Sequence, residues 1–365
     1  MMTLKKSSIA MMTLSAGLMI GCGEDGGDTV VEGDAFDNEQ ILIDTADQVI
    51  VPTYELLNTR ASALVVAVDA FVLAPTDITL EAAQDAWKAT REPWEQSEGF
   101  LFGPVDAAGI DPALDSWPVE KAELDGVLES DDELTETYVA SLDVNKKGFH
   151  AVEYLLFGEG STKTAADFTE REFDYLVASA NELQANTEYL ANAWTEGVDG
   201  QPAYRDVFVS AGDAENAVYP SRAAAAQEIV EGLVGILDEV ANGKIGDPYT
   251  EQDTLLVESQ FAFNSLADFK DNMRSVQNAY LGRVEAAGTS GNGLTVFVAA
   301  KDSELDDKVK TEIQATIDAL DQIAEPFRDS ITDSAQAGNI EDAQAAILQL
   351  MNTLDGEVKP LVLGQ

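Results

Sequence analysis

The chain has 365 residues, with 67 Asp or Glu against 21 Lys or Arg, one histidine and one cysteine, and a formal net charge of −46. That charge argues against nucleic acid and anionic membrane surfaces as partners, and a single cysteine excludes an internal disulfide. The length allows two domains, and most of the carboxylates are expected on a solvated surface.

Residues 1–21 read as a lipoprotein signal peptide. Lys5 and Lys6 precede an apolar run over residues 9–20, and Gly21-Cys22 closes it. The run is too short to span a bilayer comfortably. Gly-Cys after an apolar pair resembles a bacterial lipobox, so cleavage before Cys22 and lipid on its thiol are expected. Met19 stands where Leu is usual, and a plain secretory signal with a stray cysteine is the alternative. Residues 22–36 follow as a lipidated cysteine and an acidic tether rich in Gly, Asp and Glu. No later stretch approaches 18 uninterrupted apolar residues, which predicts a soluble remainder.

Strand alternation is not evident, and helical periodicity dominates. Residues 37–73 predict a long helix, broken or kinked early by Pro52. Pro75 ends it, and Thr76 or Asp77 caps a helix over 80–98. Residues 99–130 read as loop, with Gly and Pro throughout. A short helix at 131–140 precedes the histidine helix, which ends at Gly158. Further helices are expected at 168–195, 220–241, 251–281, 303–324 and 340–358, with a loop at 286–293. The class is therefore all-α: two packed helical-bundle domains, 37–160 and 161–365. A faint echo between EYLLFGEG and NAYLGRVE hints at duplication.

The stretch NKKGFHAVEYLLFGEG holds the one histidine. On a helical wheel Phe149, Val152, Leu155 and Leu156 form a core face. His150 and Glu153 share the neighbouring stripe, so imidazole and carboxylate can reach one cation. A His–Glu hydrogen bond at a bundle interface is the plainer alternative. Gly148 permits close approach of another segment. Arg91, Trp94 and Glu98 share a face, and Arg91 can also pair with Glu95, an arrangement that suits a packed helix interface around an ion pair better than a ligand site. Asp115 is the titratable group of LDSWP, beside Trp117. In the second half Leu266, Phe269, Met273 and Val276 make a seam, flanked by a polar stripe of Glu258, Ser265, Asp268 and Asn272. That stripe is either solvent face or the lining of a cleft. HExxH, CxxC and a phosphate-binding glycine loop are missing. One imidazole among carboxylates suits iron or manganese better than catalytic zinc.

GFHAVEYLLFG matches the GxHxxE motif of the imelysin-like family at Gly148, His150 and Glu153. AWKATREPWEQSEGFLFGP, LDSWP and FNSLADFKDNMRSVQNAYLG are similar to other blocks of that family, in the same order. The resemblance implies two helical bundles, a functional site near their interface, an envelope location and a part in bacterial iron uptake. It carries over His150 and Glu153 as metal ligands. Arg91, Glu98, Asp115, Trp117, Ser265 and Asp268 come with it as members of matching blocks that would line the site. The leading expectation is a lipid-anchored envelope protein, facing the periplasm or exposed at the surface, that binds a metal ion or an iron-bearing ligand. Iron comes first, with manganese or zinc as the other metals, and another envelope uptake protein is the expected partner. A metal-dependent peptidase with Glu153 as general base is one alternative, in keeping with the metallopeptidase label the family often carries. A structural binding module is the other. His150 and Glu153 are expected to face a polar cavity, with Ser265 and Asp268 opposite, and metal affinity to fall as pH drops near ~6.5.

Overall fold

The computed structural model describes residues 36–119 and 121–365. The signal peptide, Cys22 and all of the tether but Phe36 lie outside the described residues. Phe36 itself belongs to the core: it is buried, and its ring centroid lies 4.7 Å from that of Phe297.

Among the described residues the fold is all-α, as the periodicity predicts, and the one strand pairing is Arg283–Val284 with Thr289–Ser290. Pro52 acts where expected. It removes one backbone donor and crowds the carbonyl four residues back. A π-helical stretch, Thr45–Ile50, absorbs the strain before the long helix Val51–Leu73 begins. The Gln48 carbonyl is taken up by the Thr289 hydroxyl at 2.5 Å. The segment Glu39–Leu73 is long and apolar enough to cross a membrane by length and composition, and it buries Tyr54, Leu57, Leu64, Val68 and Phe71 in the core.

One group of helices comprises Val51–Leu73, Asp77–Glu95, Gly148–Phe157 and Glu170–Thr195, packed on one another. A second comprises Arg222–Asp238, Ser265–Leu281, Ser303–Leu320 and Ala337–Thr353. Asp77–Glu95 lies against Ser265–Leu281, so the groups share a seam. Gly232 lets the chain close there, because a Cβ on it would stand 2.4 Å from the Gly99 carbonyl oxygen. The packing runs through the boundary expected at residue 160. Glu170–Thr195 belongs with the helices that precede it, and the described residues form one compact unit.

Two expectations need correction. Residues 99–130 contain the helices Pro104–Ala107, Ile110–Asp115 and Lys121–Glu129. The first two are single short turns between Gly and Pro breakers, too brief to show periodicity, and Lys121–Glu129 is a nine-residue helix interrupted in sequence by Gly126. Residues 257–264 are not helical, so the helix expected from 251 begins only at Ser265. Ser259 and Phe263 take left-handed φ values of 48° and 56° there, each costing about 1–3 kcal/mol.

Candidate metal centre

The site begins at Gly148. Its φ of +72° is left-handed, and a Cβ would stand 2.2 Å from the Leu114 carbonyl oxygen. Only glycine lets the Ile110–Asp115 helix end against the start of the Gly148–Phe157 helix. That contact brings Asp115 to the residue two positions on, His150. The helix is fixed from its other side by Trp87, whose indole N–H donates to the Phe149 carbonyl at 3.0 Å.

His150 Nδ1 lies 2.8 Å from Glu153 Oε2. Glu153 Oε1 accepts the backbone N–H groups of Phe261 and Ala262, both at 2.8 Å. The left-handed residues Ser259 and Phe263 flank those two amides and turn them toward the carboxylate. Glu153 therefore joins the histidine helix to the 257–264 loop and fixes the ring's orientation. His150 Nε2 points the other way. It lies 3.1 Å from Asp115 Oδ1 and 3.9 Å from Glu258 Oε1, and it makes no well-aligned hydrogen bond.

Arg91 spans the carboxylates. It bonds Glu95 and Asp115, contacts Glu258 Oε1 at 2.9 Å, and its Nε lies 3.6 Å from Asp268. Trp94 Nε1 donates to Asp115 Oδ2 at 2.6 Å. Below this layer, Lys244 reaches Glu95 at 3.3 Å, Glu98 at 2.7 Å and Glu258 Oε2 at 3.1 Å. Asn272 Nδ2 donates to Glu95 and Glu98 at 2.7 and 2.8 Å.

Five buried carboxylates, on Glu95, Glu98, Asp115, Glu258 and Asp268, thus face two permanent cations, Arg91 and Lys244, and Glu153 adds a sixth beside His150. Burial of unbalanced charge is relieved by taking up protons or a further cation. Burial opposes a charged imidazole, yet Asp115 and Glu153 carry His150 up to about 10. Burial drives Asp268 up to about 7, against the pull of Arg91. Glu98 is raised well above the carboxylate range, by burial first, and Lys244 offsets only part of this. Burial works against Asp115 too, but Arg91 and His150 hold it well below that range. Asp115, His150 and Glu258 each offer a ligand atom, all within 4.8 Å of one another, and Glu95, Glu98 and Asp115 do the same.

The family model for imelysin matches residues 50–354. The chain belongs to the imelysin family. It is 34% identical over 328 residues to iron-regulated protein A of Synechococcus elongatus, covering 90% of this chain and 88% of that one. It is also similar to the crystal structure of an iron-regulated protein A precursor from Parabacteroides distasonis. The TM-score there is 0.80 at 30% identity, covering 88% of this chain and 94% of that one. An imelysin-like protein from Psychrobacter arcticum shares the fold, with a TM-score of 0.71 at 14% identity over 89% and 95% of the two chains.

Within this imelysin-family chain, the structure brings His150, Glu153, Arg91, Asp115 and Asp268 into one cluster, with Glu98 in the layer beneath. Ser265 serves the loop, its hydroxyl donating to the Glu258 carbonyl at 2.5 Å. Trp117 lies apart, its indole donating to the Leu256 carbonyl at 2.7 Å. The geometry departs from the expectation that His150 and Glu153 share one cation, because Glu153 is engaged through both oxygens. Glu258 takes the place beside His150, although the sequence pattern put it only on a polar stripe. Glu95 showed itself as a helical partner of Arg91 and no more. Lys244 was missed; a lone lysine among buried carboxylates leaves no periodic signal.

Proposed function

We propose that this protein binds a metal ion, iron in the first place, through His150 Nε2, Asp115 and Glu258, as cargo in bacterial iron uptake. The observation that carries the reading is the orientation of His150. Its Nδ1 is held by Glu153, and its Nε2, buried and without a well-aligned hydrogen bond, faces two carboxylates. A carboxylate behind the imidazole is the usual way to fix a metal-binding tautomer and raise its basicity. Ligand atoms ~2.1 Å from one ion lie ~3.0 Å apart at right angles and ~3.4 Å apart at the tetrahedral angle. The separations of 3.1 and 3.9 Å from Nε2 suit one ion with modest movement of Glu258. One nitrogen among oxygens favours iron or manganese over zinc. Arg91 and Lys244 draw charge from the same carboxylates, so an ion competes with them. The kinship to iron-regulated protein A supports iron as the cargo.

The envelope location and the lipid anchor at Cys22 belong to the same proposal and rest on the sequence layout of Lys5, Lys6, the apolar run and Gly21-Cys22. A peptidase acting through Glu153 needs that carboxylate free to take a proton from bound water, and both its oxygens are already engaged. Metal analysis of protein purified without chelator or histidine tag, followed by calorimetric titration with Fe(II), Mn(II) and Zn(II), tests the reading. His150→Ala is expected to lose iron or manganese binding while staying folded. Equal affinity in variant and parent would make His150 structural.

A further inference from the structure

A second feature lies in a different part of the fold. Residues 103–108, the end of the Glu170–Thr195 helix and residues 198–218 enclose an open cavity of about 1100 Å³. Its body is apolar, with Val198, Val207, Ala193 and the rings of Tyr189 and Tyr204. Four carboxylates also line it, on Asp199, Asp206, Asp213 and Glu215, and among the described residues no Lys, Arg or His does.

The hydrogen-bond directions sharpen this picture. Tyr219 donates its one hydroxyl proton to Glu228, so it must accept at 2.8 Å from Tyr204. The Tyr204 proton is thereby turned inward. Tyr189 donates to Asp199 at 3.3 Å. The Ser210 hydroxyl donates to the Asp206 carbonyl at 2.7 Å, and the Asn216 amide to the Val207 carbonyl at 2.7 Å. The side-chain donors of this wall, Gln201 apart, are committed within the protein. Arg205 pairs with Asp206 at 3.1 Å, so what remains toward the cavity is chiefly the carboxylate oxygen of Asp213 and Glu215 with phenol lone pairs and aromatic faces, all electron-rich. Such a surface recognises a cation that carries its own N–H donors and an apolar body.

We propose that this cavity binds an organic ammonium ion with an aromatic or aliphatic body. Charge selects the occupant. A second copy of a chain of net charge −46 is repelled, as is the acidic stretch over residues 23–39. A small cation from outside is attracted, and the two tyrosine rings offer it cation–π contact.

The test is calorimetric titration of the full chain with tryptamine and, as its anionic counterpart, indolepropionate. Tryptamine is expected to bind one per chain, and indolepropionate not at all. Asp213→Asn with Glu215→Gln is expected to weaken tryptamine about tenfold or more. Ala107→Trp places a ring in the cavity from an exposed position and is expected to abolish binding with no loss of thermal stability. Three results would each overturn the proposal: no tryptamine binding up to millimolar concentration, equal binding of both probes, or binding that survives Ala107→Trp. Diffuse attraction to an acidic surface would show as many weak sites insensitive to Ala107→Trp.

Discussion

The cluster around His150 and the cavity beside Tyr204 are both rich in carboxylates, yet they obey different physics. In the first, Glu95, Asp115, Glu258 and Asp268 are shut away from water and lean on Arg91 and Lys244. In the second, Asp199, Asp206, Asp213 and Glu215 stand at an exposed rim. A carboxylate in water is held by solvent and depends little on its neighbours. A buried one depends on them almost entirely. The same residue type therefore makes a rigid centre in one place and an adaptable attractive surface in the other.

The sharpest way to break this contrast is to remove Arg91. Arg91→Met keeps most of the side-chain volume but strips Asp115, Glu95 and Glu258 of their shared cation. About 3–5 kcal/mol of stability should be lost, read as a lower urea midpoint at unchanged slope. A loss below 1 kcal/mol would mean that water or protons already neutralise the cluster.

Metal binding supplies the next effect. His150→Ala removes a ligand, whereas Glu153→Gln leaves the ligand and weakens only its support. Glu153→Gln should lower iron or manganese affinity about 10–100-fold, and His150→Ala should lower it further. The reverse order would make Glu153 the ligand, as the HxxE spacing alone suggests. Proton release adds a second readout. Because Asp115 and Glu153 carry His150 up to about 10 against its burial, an imidazolium is expected at neutral pH, and an ion at Nε2 would then displace its proton. Titrations at pH 7 in buffers of different ionisation enthalpy should report about one proton released per ion. Competition from the proton should thus extend well above the ~6.5 of a free imidazole.

The metal-free protein offers a smaller effect at the same residue. The folded-state value of His150 lies above its unfolded value, so its stabilising contribution is full below ~6.5 and fades as pH rises through about 10. His150→Gln should therefore narrow the stability difference between pH 6 and pH 10. Parallel pH profiles for parent and variant would show that the ring is neutral when buried.

The all-α class and the histidine helix could be read from sequence because they rest on local pattern, whereas Arg91, Glu98, Asp115 and Asp268 came forward as members of blocks that resemble the imelysin family. Phe149, Val152 and Leu156 mark a face, and His150 and Glu153 follow at helical spacing. Pro52 announced its own kink. The rest depended on contacts between segments far apart in the chain. Glu258 lies in a loop whose two left-handed residues, Ser259 and Phe263, are neither glycine nor asparagine, so nothing local gives the turn away. Lys244 sits in a π-helical stretch, Glu239–Gly246, where a wheel at 100° per residue misplaces it. The grouping of Glu170–Thr195 with the first helices followed from packing, which the breaker residues near 160 concealed.

The smallest expected effect closes the comparison. Asp268→Asn and Asp213→Asn make the same chemical change in the two regions. Burial carries Asp268 up to about 7, so its stabilising contribution is full below the unfolded value of ~3.9 and is lost as pH rises through about 7. The amide cannot ionise, so the Asp268→Asn protein should gain stability relative to the parent between pH 5 and pH 8. Asp213 is exposed at the cavity rim, and its replacement should shift stability by no more than about 0.5 kcal/mol. Thermal melts of both variants at the two pH values decide the matter. If Asp213→Asn moves the midpoint as far as Asp268→Asn, the rim carboxylates support the fold, and the two regions do not differ as argued.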